Sequence, residues 1–280
     1  MTVQTIHRQF GSKSRVAQDI LRLVPAGKRI WVEVFAGSAA VTLAKQPHPA
    51  EHINDLNGSV VNLFTVIRDP TLRDLLCEAV EFTPWSQQEM RLCEAETKHD
   101  DPVEWARRFL VASWQTIGGK QAQGTGWRIQ LDKDWPMGTW RRLPDRIRRA
   151  AWRLREVYIH QRHCVELVGQ FADREEAVLF LDPPYPLELT NTRVHQVYEV
   201  DMTTDEHMAL ASALRGAKAS VILTMAHGSL YEEILQGGGW HRSELLVRGL
   251  RNSVKSELVL TNFLPPPATG VQLSWFGGDR

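Results

Sequence analysis

The sequence predicts an α/β fold, an open sheet of buried strands alternating with helices, interrupted by an inserted, mainly helical region. Three observations lead there. Ala177-Val178-Leu179-Phe180-Leu181 is a short unbroken apolar run, the mark of a strand covered on both faces. Ile30-Trp31-Val32-Glu33-Val34 is a second run. It passes through the small-residue turn Phe35-Ala36-Gly37-Ser38-Ala39-Ala40 into the helix-like Val41-Thr42-Leu43-Ala44-Lys45. His52-Ile53-Asn54-Asp55 reads as the next strand.

The remaining elements follow in chain order. Residues 12–24 carry Val16, Ile20, Leu21, Leu23 and Val24 as an apolar stripe at helical spacing, ended by Pro25. Pro47 and Pro49 break the chain ahead of the strand that ends at Asp55. Val60, Val61, Phe64 and Ile67 predict a helix over 57–68. From about Pro70 to Ile147 the character changes. Residues 86–96 and 102–114 read as exposed helices, and the stretch between Gly118 and Gly138 is rich in glycine, glutamine and tryptophan without helical period. A helix over 142–156, the short strand Val157-Tyr158-Ile159 and the strand 177–181 resume the sheet. Thr203 and Glu206 have capping-box spacing, opening a helix with Met208, Ala211 and Leu214 on one face, stopped by Gly216. Ser220-Val221-Ile222-Leu223-Thr224 is another buried strand, and Gly237-Gly238-Gly239 marks a turn. Glu244 to Val247 and Glu257 to Phe263 suit a closing antiparallel pair, and the chain reads as irregular from Pro265. This pattern divides the chain into a unit of residues 1–69 with 148–280 and an insert of residues 70–147.

Chemistry concentrates at the strand ends. Asp182-Pro183-Pro184-Tyr185 stops its strand at once, because neither proline has an N–H to donate. A carboxylate, two carbonyls and an aromatic ring then stand together at the carboxyl edge of a sheet, where open α/β sheets place ligands. Asp182 and the Pro183 carbonyl can accept hydrogen bonds from an exocyclic amine, with Tyr185 stacked on a planar ring. A strand that simply ends in a proline turn is the alternative. The turn after Val34 brings backbone N–H groups to a helix start, where a ligand can approach closely, though it lacks the dinucleotide glycine fingerprint. Asp55, about 20 residues on, can hold ribose hydroxyls or cap the next helix.

Composition sets limits. A chain of 280 residues fits one large domain, or one domain with an insert. No apolar run approaches the roughly 18 residues of a membrane span, and no apolar leader is visible. Cys77, Cys93 and Cys164 are odd in number and widely spaced, which points to a reducing cytoplasm and to no metal site. A formal net charge of zero argues against coating nucleic acid by bulk charge. It leaves room for a local basic face, which Arg141, Arg142, Arg146, Arg148, Arg149, Arg153 and Arg155 supply unless they form a plain solvated helix face.

Phe10-Gly11-Ser12-Lys13-Ser14-Arg15, Glu33 to Ser38, Asn54-Asp55-Leu56-Asn57 and Asp182 to Tyr185, taken in this order, resemble the Dam-like DNA adenine N6-methyltransferases, especially those of phages and prophages. The segment from Arg251 to Phe263 adds to the likeness, which runs from about residue 8 to 264. Two positions depart from the family pattern. Gly-Gly-Lys is here Gly11-Ser12-Lys13, and Glu-Pro-Phe is Glu33-Val34-Phe35; neither change removes a chemical group.

The resemblance implies a Rossmann-like S-adenosylmethionine-dependent methyltransferase sheet with a target-recognition insert. It implies methyl transfer from S-adenosylmethionine to N6 of an adenine flipped out of double-stranded DNA. Asp182, Pro183, Pro184 and Tyr185 would be catalytic. Lys13, Glu33, Phe35, Ala36, Gly37, Ser38 and Asp55 would bind the cofactor: Asp55 its ribose, Phe35 and Gly37 its methionine side, Lys13 its carboxylate. Glu33 would meet the methionine amino group or only order the loop. In the insert, Gln121, Gln123 and Arg128 are expected at base edges. Arg148 and Arg149 are expected at phosphates, with Arg193 on a loop over residues 190–198 that closes on the flipped base. The expected setting is the cytoplasm of a bacterial host, with a bacterial or phage-encoded enzyme, double-stranded DNA as partner, and neither a membrane nor an obligate protein partner. Methylation of adenine in RNA, methylation of cytosine N4 and a non-catalytic DNA-binding module derived from a methyltransferase are the alternatives; Asp rather than Ser at position 182 favours adenine.

Overall fold

The computed structural model describes residues 3–9, 11–117, 126–129, 137–184, 202–235, 239–248 and 254–266. Among these residues one seven-stranded sheet organises the molecule. Its strands are β1 (Ile30–Glu33), β2 (Ala50–Asn54), β3 (Val157–His160), β4 (Ala177–Leu181), β5 (Ser220–Met225), β6 (His241–Arg248) and β7 (Val254–Thr261). They lie in the order β3-β2-β1-β4-β5-β7-β6. The first five are parallel, and β7 runs antiparallel to both β5 and β6. The expected α/β architecture and the closing antiparallel pair are both present.

The strand order reverses between β1 and β4, which pair side by side with Glu33 opposite Phe180. In open α/β sheets a crevice forms at such a switch point, at the carboxyl ends of the strands. Every residue of β4 and β5 is buried, which is why these strands read as unbroken apolar runs. Side chains alternate between the two faces. Trp31, Val178, Phe180 and Ile222 pack on one face with Ile20 of α1 (Ala17–Arg22), Leu23 just after it, and Val41 of α2 (Ala40–Ala44). Val32, Leu179, Leu181, Val221 and Leu223 pack on the other, with α9 (Cys164–Phe171), α10 (Thr204–Arg215) and α11 (Leu230–Ile234).

A helical layer covers the β2–β3 side. It contains α3 (Gly58–Arg68), α4 (Pro70–Glu81), α5 (Gln87–Ala95), α6 (Pro102–Gln115), the single turn α7 (Met137–Trp140) and α8 (Leu143–Leu154). Phe64, Leu76, Val80, Phe109, Leu110, Ile147 and Leu154 share one apolar core with Ile53 and Val157 of the sheet. The expectation that 102–114 is an exposed helix is corrected. Ala106 and the run Phe109 to Gln115 are buried, because α6 packs against α3, α4 and α5 at once and so needs apolar cover on several sides. Residues 12–24 form not one helix but a short 3-10 helix, Lys13–Arg15, followed by α1.

Local signals explain most helix starts. Asn57, Asp69 and Asp101 each cap a helix by accepting backbone N–H bonds, and Pro70 and Pro102 follow two of these caps at the first turn. The Thr203–Glu206 capping box forms reciprocally at the start of α10. Among the described residues, no helix is long and apolar enough to cross a membrane.

Candidate active site at the carboxyl edge of the sheet

The crevice between β1 and β4 is built from three chain segments. The first is the loop after β1. Val34 N–H still donates to the Phe180 carbonyl (2.9 Å), so the loop leaves the sheet beside β4. Ala36 N–H then donates to the Asn54 carbonyl (2.7 Å) and Gly37 N–H to Asp55 Oδ2 (2.7 Å). Asp55 Oδ1 accepts from Asn57 N–H (2.9 Å), so one carboxylate ties the glycine loop to the start of α3. Asn54 is buried and locks three strand ends. Its Nδ2 donates to the Val34 and Arg162 carbonyls (both 3.0 Å), and its Oδ1 accepts from Arg162 N–H (2.9 Å).

The second segment precedes the first helix and straps across this loop. Ser12 and Ser38 share a hydroxyl hydrogen bond of 2.8 Å. Gly37 has φ of +46°, and a Cβ there would lie 2.3 Å from Gln9 Oε1. The left-handed backbone favours glycine here, and the Gln9 carboxamide lies against the space a side chain would fill. Phe35 packs at the edge of the apolar core beneath, and Ala36 is buried.

The third segment is the corner after β4. Asp182 retains 20 % side-chain exposure, Pro183 is buried and Pro184 half-buried. Lys13 Nζ lies 2.8 Å from Asp182 Oδ1 and 3.3 Å from Glu257 Oε2, with only 6 % of its side chain exposed. Thr224 Oγ1 is also 2.8 Å from Asp182 Oδ1. Lys13 therefore reaches the Asp182 corner, whereas the resemblance implies a place at the cofactor carboxylate.

Glu33 lies deeper, 2 % exposed. It accepts from Thr42 N–H (2.9 Å) and from the Thr42 hydroxyl, which in turn accepts from Trp31 Nε1 (2.8 Å). Burial pushes its carboxyl up to about 7 against the Thr42 hydrogen bonds, with the negative charge of Asp182 adding to the rise. Of its two expected roles, ordering the loop into α2 is the one on view. Asp182 and Glu257 thus flank Lys13, and Asp182 lies near enough to Glu33 to raise its carboxyl, so acids outnumber the cation here, an acceptor set suited to a ligand with cationic groups.

The expected nucleic-acid residues divide. Arg148 and Arg149 are exposed on the outer face of α8, Arg148 standing 3.5 Å from Asp145. Arg153 belongs instead to a buried cluster, giving both terminal nitrogens to Glu51, which Lys45 also engages. Arg128 is buried at the base of the segment that follows α6. Its backbone pairs with Gln115, its Nη2 donates to the Thr116 carbonyl (2.9 Å), and its own carbonyl accepts from Trp85 Nε1 (2.9 Å). This packing ties Arg128 to the end of α6 and to Trp85. Tyr185, Gln121, Gln123 and Arg193 lie outside the described residues.

Sequence reasoning missed Gln9, Asn54, Thr42, Thr224 and Glu257 as members of this site. Thr224 left a faint signal, as a polar residue near the end of an otherwise apolar strand; Asn54 and Glu257 lie in segments that carry the resemblance, and Gln9 and Thr42 left no signal of their own.

Residues 10–104 match the family model of the D12 class N6 adenine-specific DNA methyltransferases. That span holds Lys13, Glu33 to Ser38 and Asp55, and it ends well before Asp182. It agrees with the resemblance drawn from the motifs and supports adenine methylation in DNA. No curated protein matches the chain.

Proposed function

We propose that the chain transfers a methyl group from S-adenosylmethionine to N6 of an adenine turned out of double-stranded DNA into the β1–β4 crevice. The observation that carries this reading is the register of the switch point. The strand that delivers Asp182 pairs directly with the strand that delivers the glycine loop, and Lys13 bridges from the segment over that loop to Asp182.

S-adenosylmethionine fits the residues present. Its sulfonium and ammonium charges suit the acids of the crevice, and Gly37 leaves backbone where a side chain would collide. When bound, it supplies a methyl group on a positively charged sulfur. Asp55, Glu33, Phe35, Ala36, Gly37 and Ser38 would hold it. Asp55 is held by the Gly37 and Asn57 amides, and a carboxylate oxygen can accept more than one hydrogen bond, which would suit ribose hydroxyls.

The protein's own work is on the amine. Adenine N6 is a poor nucleophile because its lone pair is delocalised into the ring. Hydrogen bonds from its two hydrogens to Asp182 and the Pro183 carbonyl would favour a pyramidal nitrogen with an available lone pair. The nitrogen becomes cationic on transfer and then loses a proton, so catalysis rests on positioning and electrostatics rather than on a strong base. Tyr185 would stack on the extruded ring. The insert, residues 70–147, would choose the site through Gln121 and Gln123, with Arg128 bracing the segment. Arg148, Arg149 and Arg193 would contact phosphates without reading sequence. Such an enzyme acts on DNA in the cytoplasm of its host cell.

The test is transfer of labelled methyl from S-adenosylmethionine to an adenine-containing duplex, a duplex without adenine and an RNA. Label on N6-methyladenine in the first alone is the expected result. Label on cytosine or on RNA would replace the substrate, and tight duplex binding without transfer would leave a non-catalytic module.

A further inference from the structure

We infer that Thr224 is a positioning residue for the reaction, selecting which oxygen of Asp182 faces the target amine; the inference rests on the methyl-transfer reading above. Thr224 sits near the end of β5, whose Leu223 pairs with Leu181, so it stands level with Asp182 on the neighbouring strand. It is fully buried, and its hydroxyl lies 2.8 Å from Asp182 Oδ1 and 3.3 Å from the Leu181 carbonyl. A hydroxyl has one proton to give. The shorter contact and the charged acceptor take it.

Among the described residues, both donors to Asp182 meet at the same atom, Oδ1: the Thr224 hydroxyl and the Lys13 ammonium. That leaves Oδ2 to accept from the amine. The restraint matters because the terminal torsion of an aspartate is broad and roughly two-fold, so an unheld carboxylate wanders or exchanges its oxygens. Threonine suits the task. Its branched side chain is stiff at χ1, it rides on a central strand, and no water reaches it to compete. Lys13 comes from a separate strap and adds charge; Thr224 adds direction alone. The residues before it in β5, Val221, Ile222 and Leu223, are apolar, so the polarity changes where the strand meets the crevice.

The experiment compares the parent chain with Thr224→Val, Thr224→Ala and Thr224→Ser under saturating S-adenosylmethionine, with cofactor affinity measured on the same preparations. Removal of the hydroxyl is expected to lower kcat about 10- to 100-fold, the weight of one hydrogen bond to a charged group. Cofactor affinity should hold, and Thr224→Ser should recover most of the rate. Serine and alanine differ by the hydroxyl alone, so that pair decides the matter even if valine prevents folding. Equal rates for serine and alanine would overturn the inference. So would a loss in Thr224→Ala that appears in cofactor affinity rather than in kcat. Absence of transfer by the parent chain would instead overturn the methyl-transfer reading, and the inference with it.

Discussion

Two glutamates separate the crevice from the helical layer beside it. Glu104, on α6, receives Arg107 through both carboxylate oxygens (2.6 and 2.8 Å) and Arg108 at 2.8 Å, with a quarter of its side chain in water. The Arg107 hydrogen bonds, aided by Arg108, hold its carboxyl down at about 2. Glu33 is almost wholly buried, accepts hydrogen bonds from the Thr42 amide and hydroxyl, and is pushed up to about 7. The same side chain is stabilised as an anion in one place and penalised as an anion in the other. The helical layer settles its charges internally, with Arg107 also reaching Glu89, and keeps them around an apolar core. The crevice sets Asp182 and Glu257 against one buried cation, Lys13, with the buried Glu33 close enough to Asp182 to be raised by its charge. A surface that closes its own ion pairs is scaffolding; one that holds buried acids together is prepared for a ligand.

The comparison breaks first at Asp182. Asp182→Ala should abolish methyl transfer while cofactor affinity stays within a few fold, because on the proposed reading the carboxylate would meet the amine and not the cofactor. A cofactor titration and a transfer assay on one preparation check this, and near-normal turnover would end the mechanism. Asp55→Ala should act the other way, weakening S-adenosylmethionine binding about 10- to 150-fold, the value of a charge-assisted hydrogen bond. Unchanged affinity by calorimetry would remove Asp55 from the cofactor site.

Glu33 sharpens the contrast through pH. Its folded-state pKa of about 7 lies above the unfolded value of 4.5, so the folded chain holds a proton that the unfolded chain has released. The stability this confers is present below pH 4.5 and lost as pH rises through 7. Glu33→Gln should therefore gain on the ligand-free parent as pH rises from 5 to 8.5, by up to about 3 kcal/mol. Denaturant melts at the two pH values measure it, and a constant difference would refute the raised pKa. Glu104→Gln should show the opposite sign and the smallest effect. The folded pKa of Glu104 is depressed, so its contribution is present above 4.5 and fades as pH falls through 2. Being partly exposed, it should be worth about 1 kcal/mol or less at neutral pH, diminished by salt.

The legible parts of this molecule are those written in a few consecutive residues. Strand 177–181 is bounded as its apolar run and two prolines require, and the Thr203–Glu206 box opens α10. Asp182 and Gly37 stand out in the sequence because strand ends and small-residue turns carry their own punctuation. The helix α4 was missed although Asp69-Pro70 announces it. The helix α9 was missed because its eight residues show little beyond Val165, Leu167 and Val168 to set a period.

Burial and pairing across the chain are another matter. Nothing near Lys13 names Asp182 as its partner, and nothing near Thr224 says that its hydroxyl will meet that same oxygen. The arginine row from 141 to 155 does not say that Arg148 and Arg149 face water while Arg153 is sealed against Glu51. Local pattern determined the elements and the chemistry at the strand ends, because backbone geometry and hydrophobic period act over a turn or a few residues. Which acids lose water, which cation reaches them and which face of α6 is covered were decided only when the β1–β4 register and the helical layer brought distant segments together. Desolvation and hydrogen bonding depend on neighbours in space, and a linear sequence does not record them.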